Sequence, residues 1–327
     1  MKYVYVLTSS KEDFYYEQFL ISLTSLRLHN PNAYTILLLD SNTKQNLAGK
    51  RTAYKNYVSE EKIIEIPVNF TQKEKSRWLK TSMRDYIPDD FLYIDCDTVI
   101  TDKLNLDCNS AINIAAVLDT HVTLKNHHLA KHFETQDKNA GFSSYNTGIR
   151  YNGGVIYSKD DKISKDFFSL WHSLWLSSTK NGSHHDMPPL NQANMEAGNI
   201  IHELDGTWNC QISHNGLPFL TGAKIIHYYA TAIDFINSPF IPASVRTFSS
   251  IKETGEINPE LLRLLENPKV AFEKQVRIVS GNVETDVLNS KFYSILLRFR
   301  KKSPVLFKKL NILLQKTANV FKRSKRV

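Results

Sequence analysis

The chain has 327 residues, of which 42% are hydrophobic and 23% charged, with 12 Gly and 11 Pro. This composition excludes disordered and collagen-like classes, and the length suits one large domain or two modest ones. The net charge of +8 is unevenly placed: 12 Lys and Arg from Lys291 onward stand among no acids, leaving 29 bases against 33 acids before them. The basicity is therefore an appendage to a mildly acidic body.

Short apolar runs alternate with helical patterns through the first half. Residues 2–7 (KYVYVL) predict a strand, and residues 13–28 an amphipathic helix with Phe19, Leu20, Leu23 and Leu26 at helical spacing. Residues 35–40 (TILLLD) and 62–68 (KIIEIPV) predict further strands, followed by a helix over about 73–86. FLYIDCDTVI at 91–100 comes next, then INIAAVLD at 112–119. Such alternation predicts an α/β architecture with a mainly parallel central sheet flanked by helices, and ligands at the carboxyl ends of its strands. Residues 121–146 are polar and poorly periodic, which predicts a long functional loop or flap. The pattern resumes with RYNGGVIYSK at 150–159, a helix from Ile163 to about Leu176, and strand-like runs at 200–208 and 223–230.

The last segment differs in kind. Leu288, Phe292, Ile295, Leu296 and Phe299 share one helical face, and Ser303-Pro304 signals the cap and first turn of a second helix. That helix groups Leu306, Leu310, Leu313, Leu314, Val320 and Phe321, with Lys308, Lys309, Lys316, Lys322 and Arg323 largely elsewhere. A basic amphipathic segment of this kind suits an anionic membrane surface better than nucleic acid. Cys96, Cys108 and Cys210 are odd in number and far apart, which points to a reducing compartment. The first residues lack a signal-peptide core and no apolar stretch reaches spanning length. The expectation is a cytoplasmic body, peripheral on the inner face of a membrane. Its expected parts are a catalytic domain over 1–240, a helical extension over 241–286, and the basic tail over 287–327.

FLYIDCDTVI ends an apolar run in two carboxylates, Asp95 and Asp97. Two solvated acids in a turn would explain an isolated D-x-D. Beyond a buried strand end, the pair can instead converge on a hard divalent cation such as Mg²⁺ or Mn²⁺. A phosphatase of the haloacid-dehalogenase type also uses D-x-D-x-T/V. There, however, the motif ends the first strand, and several predicted strands precede it here.

Three later stretches narrow the choice. Asp95-Cys96-Asp97 is followed by Asn152-Gly153-Gly154-Val155, by Asp186-Met187-Pro188-Pro189-Leu190-Asn191, and by Ile226-His227-Tyr228. In this order the motifs resemble those of the GT-A nucleotide-sugar glycosyltransferases, most closely glycosyltransferase family 8, over roughly residues 1–235. The resemblance implies Asp95, Asp97 and His227 as ligands of Mn²⁺ (or Mg²⁺) and a donor such as a UDP-sugar. It implies Asp186, with Asn152 and Gln192, at the reacting sugar, and Gly153 and Asn191 against the donor. Arg77 and Lys80, three apart on one helix face, are candidates for the diphosphate. Thr8, Ser9 and Asp40, at the first strand ends, are candidates for the nucleoside. A saccharide acceptor, lipid-linked in view of the tail, and transfer with retention complete the expectation. Two departures stand against the family pattern: HYYATAIDF lacks the lysine usual after the late His, and Met187 replaces a usual Gln or Glu. They keep a non-catalytic sugar-nucleotide binder on the same scaffold as an alternative.

Overall fold

The computed structural model describes residues 1–106, 112–127, 129–228, 241–269, 286–287 and 290–324. Cys108, Leu288, the stretch after Tyr228 and most of the extension beyond 269 lie outside them, as do the side chains of Val320 and Phe321. The chain divides into two compact units, Met1–Val276 and Arg277–Val327.

In the first unit the elements run β1 (Lys2–Leu7), α1 (Tyr15–His29), β2 (Thr35–Asp40), α2 (Ser41–Asn46), β3 (Glu60–Ile64) and α3 (Gln72–Ser82). There follow β4 (Phe91–Ile94), β5 (Thr98–Ile100), β6 (Ile114–Leu118), α4 (Ala130–Ala140), β7 (Tyr151–Ser158), α5 (Lys162–Lys180) and α6 (Met187–Glu196). The unit continues with β8 (Ile201–Glu203), β9 (Cys210–Gln211), β10 (Ile225–His227), α7 (Val245–Thr254) and α8 (Pro259–Glu266). Seven strands form one sheet in the order β3-β2-β1-β4-β7-β6-β8, in which only β7 runs against its neighbours. A small second sheet has the order β5-β10-β9.

The near-continuous apolar strands are explained by helices on both faces. Because alternate side chains point to opposite faces, Tyr3, Tyr5, Leu7, Leu37 and Leu39 enter a core with Phe19, Leu20 and Leu23 of α1. Val4, Val6, Ile36, Leu38, Phe91 and Tyr93 enter a second core with Leu79 of α3 and Phe167, Phe168 and Trp171 of α5. Each fully buried side chain of this size contributes about 1.5–3 kcal/mol.

The strand end expected before the two acids is present: β4 ends at Ile94 and β5, in the other sheet, begins at Thr98, so the carboxylates occupy the crossing between sheets. Two expectations change. Residues 121–146 are not a structureless loop, since they contain α4. Its buried face carries Phe133, Asp137 and Ala140, and the ion pair of Asp137 with Arg150 at 2.9 Å puts a charge where the pattern needs an apolar residue. Residues 200–208 hold only the three-residue β8. The Asp205 carboxylate then accepts from the Thr207 N–H and turns the chain into one 3₁₀ turn, Gly206–Asn209.

The loop leaving β1 is held from below. Arg51 pairs with the fully buried Glu17 at 3.0 Å and donates to the carbonyls of Ser10 and Asp13. Removing one partner of a buried pair leaves an uncompensated charge. Arg51→Leu is therefore expected to lower unfolding free energy by about 3–5 kcal/mol in urea titration, and Glu17→Met in the same chain to restore much of it.

In the second unit, α9 (Lys291–Lys302) and α10 (Pro304–Ser324) follow each other around Ser303, with Phe299 against Phe307. Both are amphipathic; Phe292, Ile295, Val305, Leu306, Leu313 and Leu314 are exposed. No described helix is long and apolar enough to cross a membrane.

Candidate donor and metal site

The crossing from β4 to β5 is built by few bonds. Asp95 N–H donates to the Gly154 carbonyl at 2.8 Å, so pairing with β7 extends one residue past β4. The Thr98 hydroxyl donates to the Asp95 carbonyl at 2.8 Å and closes the turn that carries both acids. Strand β10 then lies antiparallel to β5 with His227 opposite Thr98, and Tyr228 N–H donates to the Asp97 carbonyl at 3.0 Å. This register delivers the imidazole to the carboxylates across 130 residues of sequence. Nε2 of His227 lies 3.1 Å from Asp97 Oδ1. One ligand atom each from Asp95, Asp97 and His227 lie within 4.8 Å of one another. Two carboxylates and one imidazole form a donor set suited to Mn²⁺ or Mg²⁺.

Glycine at 154 is a steric requirement of the same site. A Cβ there would overlap His227 Cε1 and lie 2.8 Å from its Nδ1 and 2.9 Å from Asn152 Oδ1. At Gly153 a Cβ would meet only ordinary contacts, 3.4 Å from Lys80 Nζ and 3.5 Å from Asp186 Oδ2.

Beside these three side chains lies a second charged group. Arg77 Nε is 2.9 Å from Asp186 Oδ1, and Lys80 Nζ lies 3.0 Å from Asp186 Oδ2 and 3.2 Å from Asp95 Oδ1. The Tyr93 hydroxyl also donates to Asp95. Asp186 occupies the N-cap position of α6 yet makes no side-chain cap bond, because its oxygens face these two cations. Burial alone would raise its pKa, but Arg77 and Lys80 hold it far below the usual carboxylate range. Burial would likewise lower the pKa of Lys80, yet Asp186 and Asp95 raise it, so the ammonium stays charged. For His227 burial lowers the pKa and Asp97 more than offsets it, raising it overall. Cys96, between the two acids, is pushed well up by burial and then by their charges, so its thiol stays protonated.

The remaining candidates have other partners. Asn152 donates from Nδ2 to Asp119 Oδ1 at 3.1 Å and accepts from Gly154 N–H at 2.9 Å and Asn209 Nδ2 at 2.8 Å. Asn191 accepts from Tyr151 N–H at 2.7 Å and donates to the Tyr151 and Met187 carbonyls, fastening α6 to the start of β7. Gln192 accepts from the N–H groups of Ser143 and Ser144, each at 3.0 Å, and so holds the turn after α4. At the ends of β1 and β2, Thr8 donates to the Gln72 carbonyl, Ser9 donates to Asp13, and Asp40 caps α2 while pairing with Lys75 at 2.9 Å. The structure thus gathers Asp95, Asp97, His227, Arg77, Lys80, Asp186 and Gly153. Thr8, Ser9 and Asp40 stand at the ends of β1 and β2.

Four residues of the site region escaped sequence reading: Tyr93, Asp119, Asn209 and Asp13. Tyr93 had a signal, since it precedes Asp95 by two and shares its strand face. Asn209 had none, because its partners come from β7 and β10.

No protein-family model matches the chain, and no curated protein matches it. Solved structures do. A bifunctional glycosyltransferase, WbbM, in its apo form, superposes with a TM-score of 0.50 at 15% identity, over 82% of this chain and 52% of that one. Mouse xyloside xylosyltransferase 1 gives 0.45 at 16% identity over 69% and 96% of the two chains, and the glycosyltransferase GlyE of Streptococcus pneumoniae 0.47 at 18% over 86% and 66%. The chain spans about half the length of the WbbM chain. The fold is therefore one shared with a solved glycosyltransferase.

Gly154→Ala is expected to displace His227 and weaken Mn²⁺ binding by about 10–100-fold in calorimetric titration, whereas Gly153→Ala leaves the affinity within a few-fold.

Proposed function

We propose that the chain is a metal-dependent glycosyltransferase that moves a hexose or hexosamine from a nucleotide diphosphate sugar, a UDP-sugar by resemblance, to a saccharide acceptor. The observation that carries this is the convergence of Asp95, Asp97 and His227 beside the Arg77–Asp186–Lys80 cluster, at a sheet crossing of a fold shared with a glycosyltransferase. It favours the transferase over the phosphatase, whose nucleophile ends the first strand, whereas β4 is fourth in the chain.

Asp95, Asp97 and His227 would hold the divalent ion, which supplies Lewis-acid stabilisation of the departing diphosphate. The chain's own residues do the rest. Arg77 and Lys80 present fixed positive charge where the phosphates develop negative charge. Asp186, ionised at any working pH, keeps a lone pair on each oxygen beyond those facing Arg77 and Lys80, and so accepts from donor-sugar hydroxyls. Gly153, beside Lys80 and Asp186, leaves backbone rather than a side chain against the sugar. Asn152, Asn191 and Gln192 position β7, α6 and the turn after α4 around that space. Thr8, Ser9 and Asp40 contribute the nucleoside end. Retention of configuration is the outcome the family resemblance implies.

The same reading makes the extension and tail parts of a peripheral enzyme at the inner face of a membrane, with a lipid-linked saccharide acceptor, as in cell-envelope glycan or lipopolysaccharide assembly. Its support is the exposed apolar side of α9 and α10 with 12 bases and no acid from Lys291 onward. Each base near an anionic leaflet contributes about 1 kcal/mol.

Two experiments test these proposals. With Mn²⁺ and a panel of sugar nucleotides, the wild type is expected to hydrolyse or transfer one donor, with the rate falling at least ~10²-fold in Asp97→Ala and on chelation. Equal, background release by both proteins would refute the transferase. In vesicle co-sedimentation, the full chain is expected to bind anionic but not neutral vesicles, less so at high salt, and a chain ending at Asp286 to stay in solution.

A further inference from the structure

We infer that Asn209, oriented through Asn152 by Asp119, fixes the tautomer of His227 so that Nε2 is the metal-facing nitrogen; this rests on the divalent-cation reading above. Asp119 is paired with Arg150, whose Nε lies 3.7 Å away. An ionised carboxylate only accepts hydrogen bonds, so Asp119 Oδ1 requires the amide nitrogen of Asn152 to face it at 3.1 Å. The oxygen of Asn152 must then lie on the other side. There it meets Gly154 N–H at 2.9 Å, a backbone group that only donates, and the orientation is fixed a second time.

Asn209 approaches that same oxygen at 2.8 Å and must offer its amide nitrogen. Its own oxygen is thereby turned to His227 Nδ1, 2.9 Å away, and an oxygen at that distance needs a proton on Nδ1. The neutral ring consequently carries its proton on Nδ1 and its lone pair on Nε2, the nitrogen 3.1 Å from Asp97. All four residues are nearly inaccessible, with 0% exposure for Asn209 and at most 3% for the others, so bulk water offers no competing partners. Asn209 is a positioning residue: it acts on the metal site through His227.

The test reads the ring itself. In metal-free wild type labelled with ¹⁵N-histidine and held at alkaline pH, where one ring nitrogen is protonated, His227 is expected to show the proton on Nδ1. Asn209→Leu removes the acceptor; the proton is expected to shift to Nε2, against Asp97, and Mn²⁺ affinity to fall about 10–100-fold. Asn209→Asp restores an acceptor toward Nδ1 but loses the donor to Asn152 Oδ1; it is expected to return the proton to Nδ1 and to recover only part of the affinity. A packing role alone predicts the opposite order, because a buried carboxylate fits that site worse than Leu. Wild-type His227 protonated on Nε2, or Asn209→Leu with unchanged tautomer and affinity, would overturn the inference. Wild type with the Nδ1 proton but no affinity for Mn²⁺ or Mg²⁺ would instead overturn the metal reading, and with it the purpose given to the relay, while leaving the tautomer assignment standing.

Discussion

Charge balance at one crossing of the chain organises much of this molecule. Asp95, Asp97 and Asp186 bring three carboxylates around two permanent cations, Arg77 and Lys80, with His227 at the edge. Carboxylates this close repel unless each has an opposite charge or a donor. Asp186 takes both cations, Asp95 shares Lys80 and the Tyr93 hydroxyl, and Asp97 faces the imidazole. The surplus negative charge thus falls on the D-x-D pair, which is where a divalent cation would be most stabilised. A sheet whose strands β1, β2, β3 and β4 all run one way puts this surplus at carboxyl ends, where loops rather than packed helices face outward.

Much of that was legible in the residues. Buried runs such as TILLLD and FLYI are short, apolar and β-rich, and strands covered on both faces need no other signal. The D-x-D acids were legible because two like charges at a strand end are costly without a shared cation, whereas His227 joined them only through the order of motifs that carries the family resemblance. Arg77 and Lys80 were legible from their spacing on one helix face. What they touch was not: their pairing with Asp186 joins α3 to the start of α6, over a hundred residues later, and no local pattern records it.

The rest escaped because buried polar residues imitate surface. Asp137 on the packed face of α4 reads as a break in the apolar period, and only its partner Arg150, at the start of β7, explains it. Asn191 and Gln192 read as ligand-facing amides because amides near a D-x-x-x-L-N element look available. In the fold their carbonyl oxygens are taken by backbone N–H groups of β7 and of the turn after α4. An amide side chain can complete a strand edge as well as it can bind sugar, and sequence alone does not separate the two.

The relay that reaches His227 also has a fixed root. Directly after Asp119 the backbone enters the left-handed region at Thr120 and His121, with φ of 55° and 59°. For a β-branched residue that conformation is strained by about 1–3 kcal/mol and persists only where neighbours over-determine it. They do so here. Gln211 accepts from Thr120 N–H and donates to the Leu118 carbonyl, Asn215 donates to the Thr120 carbonyl, and His121 Nε2 accepts from Gln211 N–H. Burial lowers the His121 pKa to about 4, so its ring stays neutral and that last bond survives at working pH. Gln211 ends β9, which pairs with β10 at His227. The strained turn and His227 are therefore tied through one short strand as well as through the amide relay. A displacement of the turn would reach His227 from both sides at once, which gives the strain a reason to be held next to the site rather than relaxed.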